Sequence, residues 1–280
     1  MVRLVFVDMD DTFVTPDKVI TPENLRILDV ARERGVQFVP CTGRSVRGLP
    51  QQLVEHPSVR FAVCSGGALV YDLRAGGAGE KNGEVVHSQP IEKDVVRSLY
   101  DDVRDQRITF DLTAEDGVLA SSDRWPLYWE AALDDATREM VLSQRTRFEG
   151  TTGELIERMD QIFRVNVLYV DDAGRRAVWD AVDARPELCR ASSIPVNVEI
   201  TDVRATKGTA LLWLCGHLGV AVADTVAFGD SGNDLSMIEV AGDGVAMGNA
   251  SPEVKAAADH VAPSCGEAGV ARYLEPMLRG

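Results

Sequence analysis

Asp8 and Asp10 stand two residues apart in Asp8-Met9-Asp10-Asp11-Thr12. In an extended segment that spacing sends both carboxylates to one side while Met9 turns away. Two carboxylates so placed can divide a reaction, one acting as nucleophile and metal ligand, the other giving and taking a proton. The pair alone reads equally well as a solvated turn or a calcium-like ligand set. Three further segments offer related chemistry. Cys41-Thr42-Gly43-Arg44 presents a hydroxyl and backbone N–H groups that suit phosphate oxygens at a helix start, or else a plain turn capped by Thr42. Thr206-Lys207-Gly208 carries one of only five lysines in the chain just ahead of a helix, a place where an isolated lysine is more often solvated. Gly229-Asp230-Ser231-Gly232-Asn233-Asp234 gathers two acids and an amide among glycines. Such hard oxygen donors suit Mg²⁺, though the same string is also good turn chemistry.

The elements that must position these residues follow from periodicity. Leu4 to Val7 is a short apolar run, the signature of a buried central strand. Thr21-Pro22-Glu23 then starts a helix whose Leu25, Leu28 and Ala31 recur at helical spacing until Gly35. Val36 to Val39 predicts a second strand, Ser45 to Glu55 a helix disturbed by Pro50, and Phe61 to Cys64 a third strand. This alternation implies a parallel sheet with crossover helices. The texture changes near Glu80, with a glycine-rich stretch of Gly76, Gly77, Gly79 and Gly83, and a charged helix is expected from Ile91 to Asp105. Ile108, Phe110 and Leu112, then Phe163, Val165, Val167 and Tyr169, alternate with other residues as half-exposed strands of a separate sheet do. From Val196 to Ile200 onward the buried-strand style returns, with helices at 209–218 and 235–241 and strands at 225–228 and 245–247. The expected architecture is α/β, a Rossmann-like parallel-sheet core of residues 1–82 and 192–280 interrupted by an α+β insertion of residues 83–191. In open parallel sheets ligands bind beyond the carboxyl ends of the strands, where the polar segments fall.

Composition narrows the partners. The 280 residues are 45% apolar and carry a net charge of −15, which repels nucleic acid and anionic membrane alike. No apolar run reaches the ~20 residues of a spanning helix, and a cytoplasmic protein is expected. The five cysteines form no Cys-x-x-Cys pair and read as reduced core thiols. His56, His87, His217 and His260 adjoin no acid or cysteine constellation. Trp125, Tyr128, Trp129 and Trp179 in the insertion are expected mainly as packing, with stacking on a sugar ring the alternative. Oligomeric state is not legible.

In this order Asp8-Met-Asp-Asp-Thr12, Thr42-Gly-Arg44, Lys207-Gly208, Gly229-Asp-Ser-Gly-Asn-Asp234 and Val245-Ala-Met-Gly-Asn-Ala250 closely resemble the haloacid dehalogenase superfamily, and within it the Cof-like phosphatases with a large α/β cap. The resemblance covers the core on both sides of the insertion. It implies Asp8 as the nucleophile that takes a phosphoryl group and Asp10 as general acid and base. Thr42, Gly43, Arg44 and Lys207 would bind the transferring oxygens, with Asn233 near substrate or metal. Mg²⁺ would sit on Asp8, the backbone carbonyl of Asp10 and Asp230, with Asp234 orienting the set from behind. Asp11 occupies a position where glycine is commoner, its side chain expected to point outward, and Ser65 one where asparagine is common. The implied activity is hydrolysis of small phosphate monoesters such as sugar phosphates. The competitors are a phosphomutase, for which Arg138, Arg145, Arg147 and Arg164 would have to supply a second phosphate site, and a non-catalytic phosphosugar-binding protein.

Overall fold

The computed structural model describes residues 2–75, 83–115, 117–192 and 194–279. Gly76, Gly77 and Gly79 lie outside them. The chain divides into two compact units, residues 1–88 with 205–280, and residues 89–204.

The first unit opens with β1 (Leu4–Asp8), buried at every position. Helix α1 (Pro22–Glu33) starts where the Thr21 hydroxyl accepts the N–H of Asn24 and buries Ile27, Leu28 and Ala31. It leads to β2 (Gln37–Cys41). The helix expected over 45–55 is broken into a single tight turn at Val46–Gly48 and the short α2 (Gln51–Val54). Pro50 is the cause: the residue before it, Leu49, is driven to an extended ψ of 143°, and Pro50 has no N–H to continue a helix. After β3 (Phe61–Cys64) the chain turns at Ser65–Gly67 and runs back as β4 (Leu69–Asp72) and β5 (Glu84–Ser88), an antiparallel extension absent from the sequence reading.

The second unit begins with α3 (Lys93–Val103), followed by β6 (Asp111–Thr113), β7 (Val118–Ser121), α4 (Leu127–Glu130), α5 (Asp135–Ser143), β8 (Arg145–Phe148), α6 (Thr152–Arg158), β9 (Arg164–Leu168), α7 (Asp172–Asp183), β10 (Leu188–Ala191) and β11 (Asn197–Asp202). Its sheet runs β10-β11-β9-β6-β7-β8. Val96, Leu99 and Val103 of α3 and Val178 and Val182 of α7 share one core with Leu112, Val165, Val167, Val198 and Ile200 of the strands.

Two expectations about this unit are corrected. The segment around Val196–Ile200 does not resume the first unit. Residues 197–202 pair with β9 and β10, because apolar alternation marks a strand without saying which sheet it joins. Nor are the alternating strands half-exposed. Asp111, Thr113, Asn166 and Asn197 are buried as well. Asp111 accepts from Tyr128 Oη, Arg145 Nε (2.8 Å) and Asn166 Nδ2 (3.3 Å), and Asn197 Nδ2 donates to Asn166 Oδ1 (3.1 Å), so polar partners replace water. Tyr128 is fully buried with the Trp125 ring edge-on to it, whereas Trp129 is exposed.

The chain returns to the first unit with α8 (Lys207–Leu218), β12 (Thr225–Gly229), α9 (Leu235–Val240), β13 (Asp243–Ala246), α10 (Pro252–Ala257), β14 (His260–Val261) and α11 (Gly269–Arg279). The resulting eight-stranded sheet has the order β14-β13-β12-β1-β2-β3-β4-β5, with β14 through β3 parallel. It is the doubly wound α/β architecture the motifs imply. All five cysteines are free, four of them buried. Among the described residues no helix is long and apolar enough to cross a membrane.

Candidate active site

Strands β12, β1 and β2 are consecutive in the parallel sheet, so the segments that leave their carboxyl ends become neighbours. These are residues 230–234, 8–12 and 42–44, each following an apolar run that the core retains. Lys207 joins them from the first turn of α8, whose start is fixed by reciprocal bonds between Thr206 and Thr209. That turn packs tightly: a Cβ on Gly208 would lie 2.2 Å from the carbonyl oxygen of Ser236, so only glycine lets α8 come this close to α9.

Lys207 is completely buried, and its ammonium donates to Asp8 Oδ1 and to Asp234 Oδ1 (2.6 Å). Burial opposes its charge, but the two carboxylates prevail and raise its pKa, so it is an ammonium throughout the neutral range. Asp234, also fully buried, uses its other oxygen to accept the backbone N–H groups of Asp230 (3.0 Å) and Ser231 (3.1 Å). One carboxylate thus holds both the lysine and the loop bearing Asp230. Gly229 makes room for it, since a Cβ there would sit 2.3 Å from the Asp234 Cβ. Asp230 Oδ1 accepts the hydroxyl of Thr12 (3.0 Å), a fully buried residue to which the sequence reading gave no role.

Carboxylate oxygens of Asp8, Asp230 and Asp234 lie within 4.8 Å of one another. Burial, with repulsion from Asp234 and Asp230, pushes the Asp8 carboxyl up to about 8 against the pull of Lys207. Burial followed by repulsion from Asp234 pushes Asp230 up to about 6. Three carboxylates around a single ammonium leave the cluster short of positive charge. A hard divalent cation fits that deficit and that donor set.

The Asp10 carboxylate faces elsewhere. It accepts from Arg44 Nε (2.9 Å), from the other end of the Arg44 fork and from Lys18 Nζ (2.8 Å). Burial alone would raise its pKa, but bonds from Lys18 and Arg44 outweigh it and hold the carboxyl below its usual value. Thr42 is buried and its hydroxyl accepts the Arg44 N–H (3.1 Å), which sets the turn after β2. Asn233 is exposed, its side-chain oxygen accepting the Ser231 hydroxyl (2.7 Å). The expectation that Asp11 points outward is corrected. At φ +60° its Oδ1 is buried with no hydrogen-bond partner, and its charge adds to the repulsion on Asp230. The structure therefore gathers Asp8, Lys207, Asp230 and Asp234 in one cluster, with Thr12 behind it. Asp10 and Arg44 pair with each other, and Asn233 stands at the exposed end of its loop.

The family described as haloacid dehalogenase-like hydrolase matches residues 5–274, so the chain belongs to it. It is a hydrolase of that family. It is 28% identical to YxeH of Bacillus subtilis (strain 168), a protein named as a candidate phosphatase, over 291 residues that span 99% of both chains. In fold it is similar to BT1666 of Bacteroides thetaiotaomicron, described among phosphatases of the same superfamily, with a TM-score of 0.78, 21% identity, and 98% of this chain and 94% of that one covered. It is likewise similar to BT4131, described as a subclass IIB sugar phosphatase, with a TM-score of 0.75, 20% identity, and 98% of each chain covered.

Proposed function

We propose that this protein is a Mg²⁺-dependent phosphatase of small phosphate monoesters, working through a phosphoryl group carried on Asp8. The observation that carries this reading is the buried cluster itself: a carboxylate fixed by a fully buried lysine beside two further carboxylates with an uncompensated negative charge. A protein that only bound phosphate would place cations there and not three acids. The family and the phosphatase names of its relatives support the same reaction.

The Asp8 carboxylate attacks phosphorus as the ester P–O bond breaks, and Asp10, which takes up a proton once Arg44 leaves it for the phosphoryl oxygens, gives that proton to the leaving oxygen. Water then forms a bond to phosphorus, the bond to Asp8 breaks with its electron pair returning to the carboxylate, and Asp10 takes the water's proton. Lys207 places positive charge against Asp8 and the incoming phosphoryl oxygens, and the backbone donors after Thr42, with Arg44, hold the remaining oxygens. Asp8, Asp230 and the Asp10 carbonyl would hold Mg²⁺, which supplies further positive charge to the phosphoryl oxygens. Asp234 keeps Lys207 and the Asp230 loop in register. Choice of the leaving group is assigned to the second unit. A phosphomutase would need free cations for a second phosphate. Arg138, Arg145, Arg147 and Arg164 each already pair with an acid of the same unit, Asp135, Asp111, Glu149 and Glu199, which favours the phosphatase.

The test is phosphate release from p-nitrophenyl phosphate and a panel of sugar phosphates. The expected result is activity that requires Mg²⁺, disappears with chelator and is lost in Asp8→Asn. Activity surviving that substitution, or an isomeric sugar phosphate formed in place of phosphate, would contradict the reading.

A further inference from the structure

Asp10 is held from two directions, and one of them has no counterpart in the motifs. Val14 and Ile20 bridge a hairpin closed by Lys18 N–H to Thr15 O (2.8 Å) and Thr15 N–H to Val19 O (2.9 Å), with Pro16 pre-setting the turn. Its last turn residue, Lys18, sits at φ +62°, a left-handed conformation where glycine or asparagine is the ordinary choice. The turn is closed by backbone bonds, so the lysine side chain adds nothing to closing it. Instead Nζ reaches Asp10 Oδ1 at 2.8 Å. Arg44 approaches the same carboxylate from the segment after β2, with its Nη1 also donating to Gly48 O (3.2 Å). An ion pair as exposed as Lys18–Asp10, with side chains 60% and 39% accessible, contributes little to stability. A lysine kept at a strained position for a bond of little stabilising value points to another use.

We propose that Lys18 is a positioning residue for Asp10 in the phosphatase reaction, an inference that rests on that reading of the site. Arg44 belongs to the segment that meets phosphoryl oxygens. When the substrate draws it away, Lys18 is the remaining hold on the Asp10 carboxylate. It keeps one oxygen anchored while the other faces the leaving group and then the attacking water. The proton moves from Asp10 to the leaving oxygen in the first half-reaction, and from water to Asp10 as the bond between phosphorus and Asp8 breaks in the second.

The experiment compares wild type with Lys18→Met, Lys18→Gly and Lys18→Arg at saturating Mg²⁺ and fixed pH, on p-nitrophenyl phosphate and on glucose 6-phosphate, with thermal unfolding in parallel. An alkoxide leaving group needs a placed proton donor, whereas nitrophenolate leaves without one. Lys18→Met and Lys18→Gly should lower kcat on the alkyl ester by about 10- to 100-fold with KM nearly unchanged. On the aryl ester they should show a burst of nitrophenolate before slow turnover, because only the second half-reaction is impaired. Lys18→Arg should restore most of the rate. Lys18→Gly should unfold at or above the wild-type temperature, since glycine suits the turn better, which separates the kinetic loss from misfolding. Unchanged kcat in Lys18→Met, an equal loss in both half-reactions on the aryl ester, or a raised KM at constant kcat would overturn the role of Lys18 and leave the phosphatase reading standing. A wild-type enzyme that releases no phosphate from either ester would overturn both.

Discussion

Lys207 is the residue on which the cluster turns. It is a fully buried ammonium whose charge is met by Asp8 and Asp234, so removing it leaves two carboxylates in the interior with no cation. Breaking a buried pair from one side destabilises far more than the pair contributes, and Lys207→Met is expected to lose about 3–5 kcal/mol in urea unfolding measured without added metal. Added Mg²⁺ should recover part of the loss. A Lys207→Met protein as stable as wild type without metal would mean that the carboxylates are neutral or rearranged. Thr12 acts on a smaller scale. Thr12→Val removes the hydroxyl that Asp230 accepts at 3.0 Å, and about 1 kcal/mol of stability should go with it. Most of these residues were legible in the sequence because they follow apolar runs at strand ends. Thr12 stood inside a motif without a chemical signal of its own, and Lys18 is a lone lysine in a turn whose partner only the folded hairpin reveals. Asp11 was misread because spacing shows that a side chain leaves a strand and not which way a left-handed residue then turns it.

At the scale of elements, close approach of backbones decides what the site tolerates. Gly229 ends β12 where the Asp234 side chain crosses it. Gly229→Ala must push Asp234 away from Lys207 and from the Asp230 and Ser231 N–H groups. The expected cost is about 1–3 kcal/mol in unfolding, with a loss of Mg²⁺ affinity read by titrating activity against the metal. Unchanged metal dependence in a folded variant would show that Asp234 does not organise the loop. The core strands, α1 and α8 were legible because their patterns and caps agree. The broken 45–55 segment was foreshadowed by Pro50. The β4–β5 extension was missed because Ser65–Gly67 reads as a plain strand end. The placement of residues 197–202 in the second sheet was missed because pairing is a long-range choice.

The whole molecule carries its acid sensitivity in both units. Asp72 in the first and Asp202 in the second are nearly buried carboxylates. Burial raises their pKa values, but Arg60 and the Arg74 N–H prevail at one, and Arg204 by side chain and backbone at the other, so both end below the ordinary value. A carboxyl whose folded pKa is lowered stabilises fully above its unfolded pKa, and that contribution disappears as the pH falls through the folded one. Asp72→Asn should therefore lower Tm at neutral pH, and the gap to wild type should close below about pH 4. A gap that persists at low pH would assign the effect to packing.

The most direct measurement is the mass of the peptide containing Asp8 after an acid quench during turnover of p-nitrophenyl phosphate with Mg²⁺. A phosphoryl group on Asp8, present in wild type, more abundant in Lys18→Met and missing from Asp8→Asn, is the predicted result. Phosphate release with no phosphoryl group on Asp8 at any time of quenching, or one found on another residue, would contradict the account.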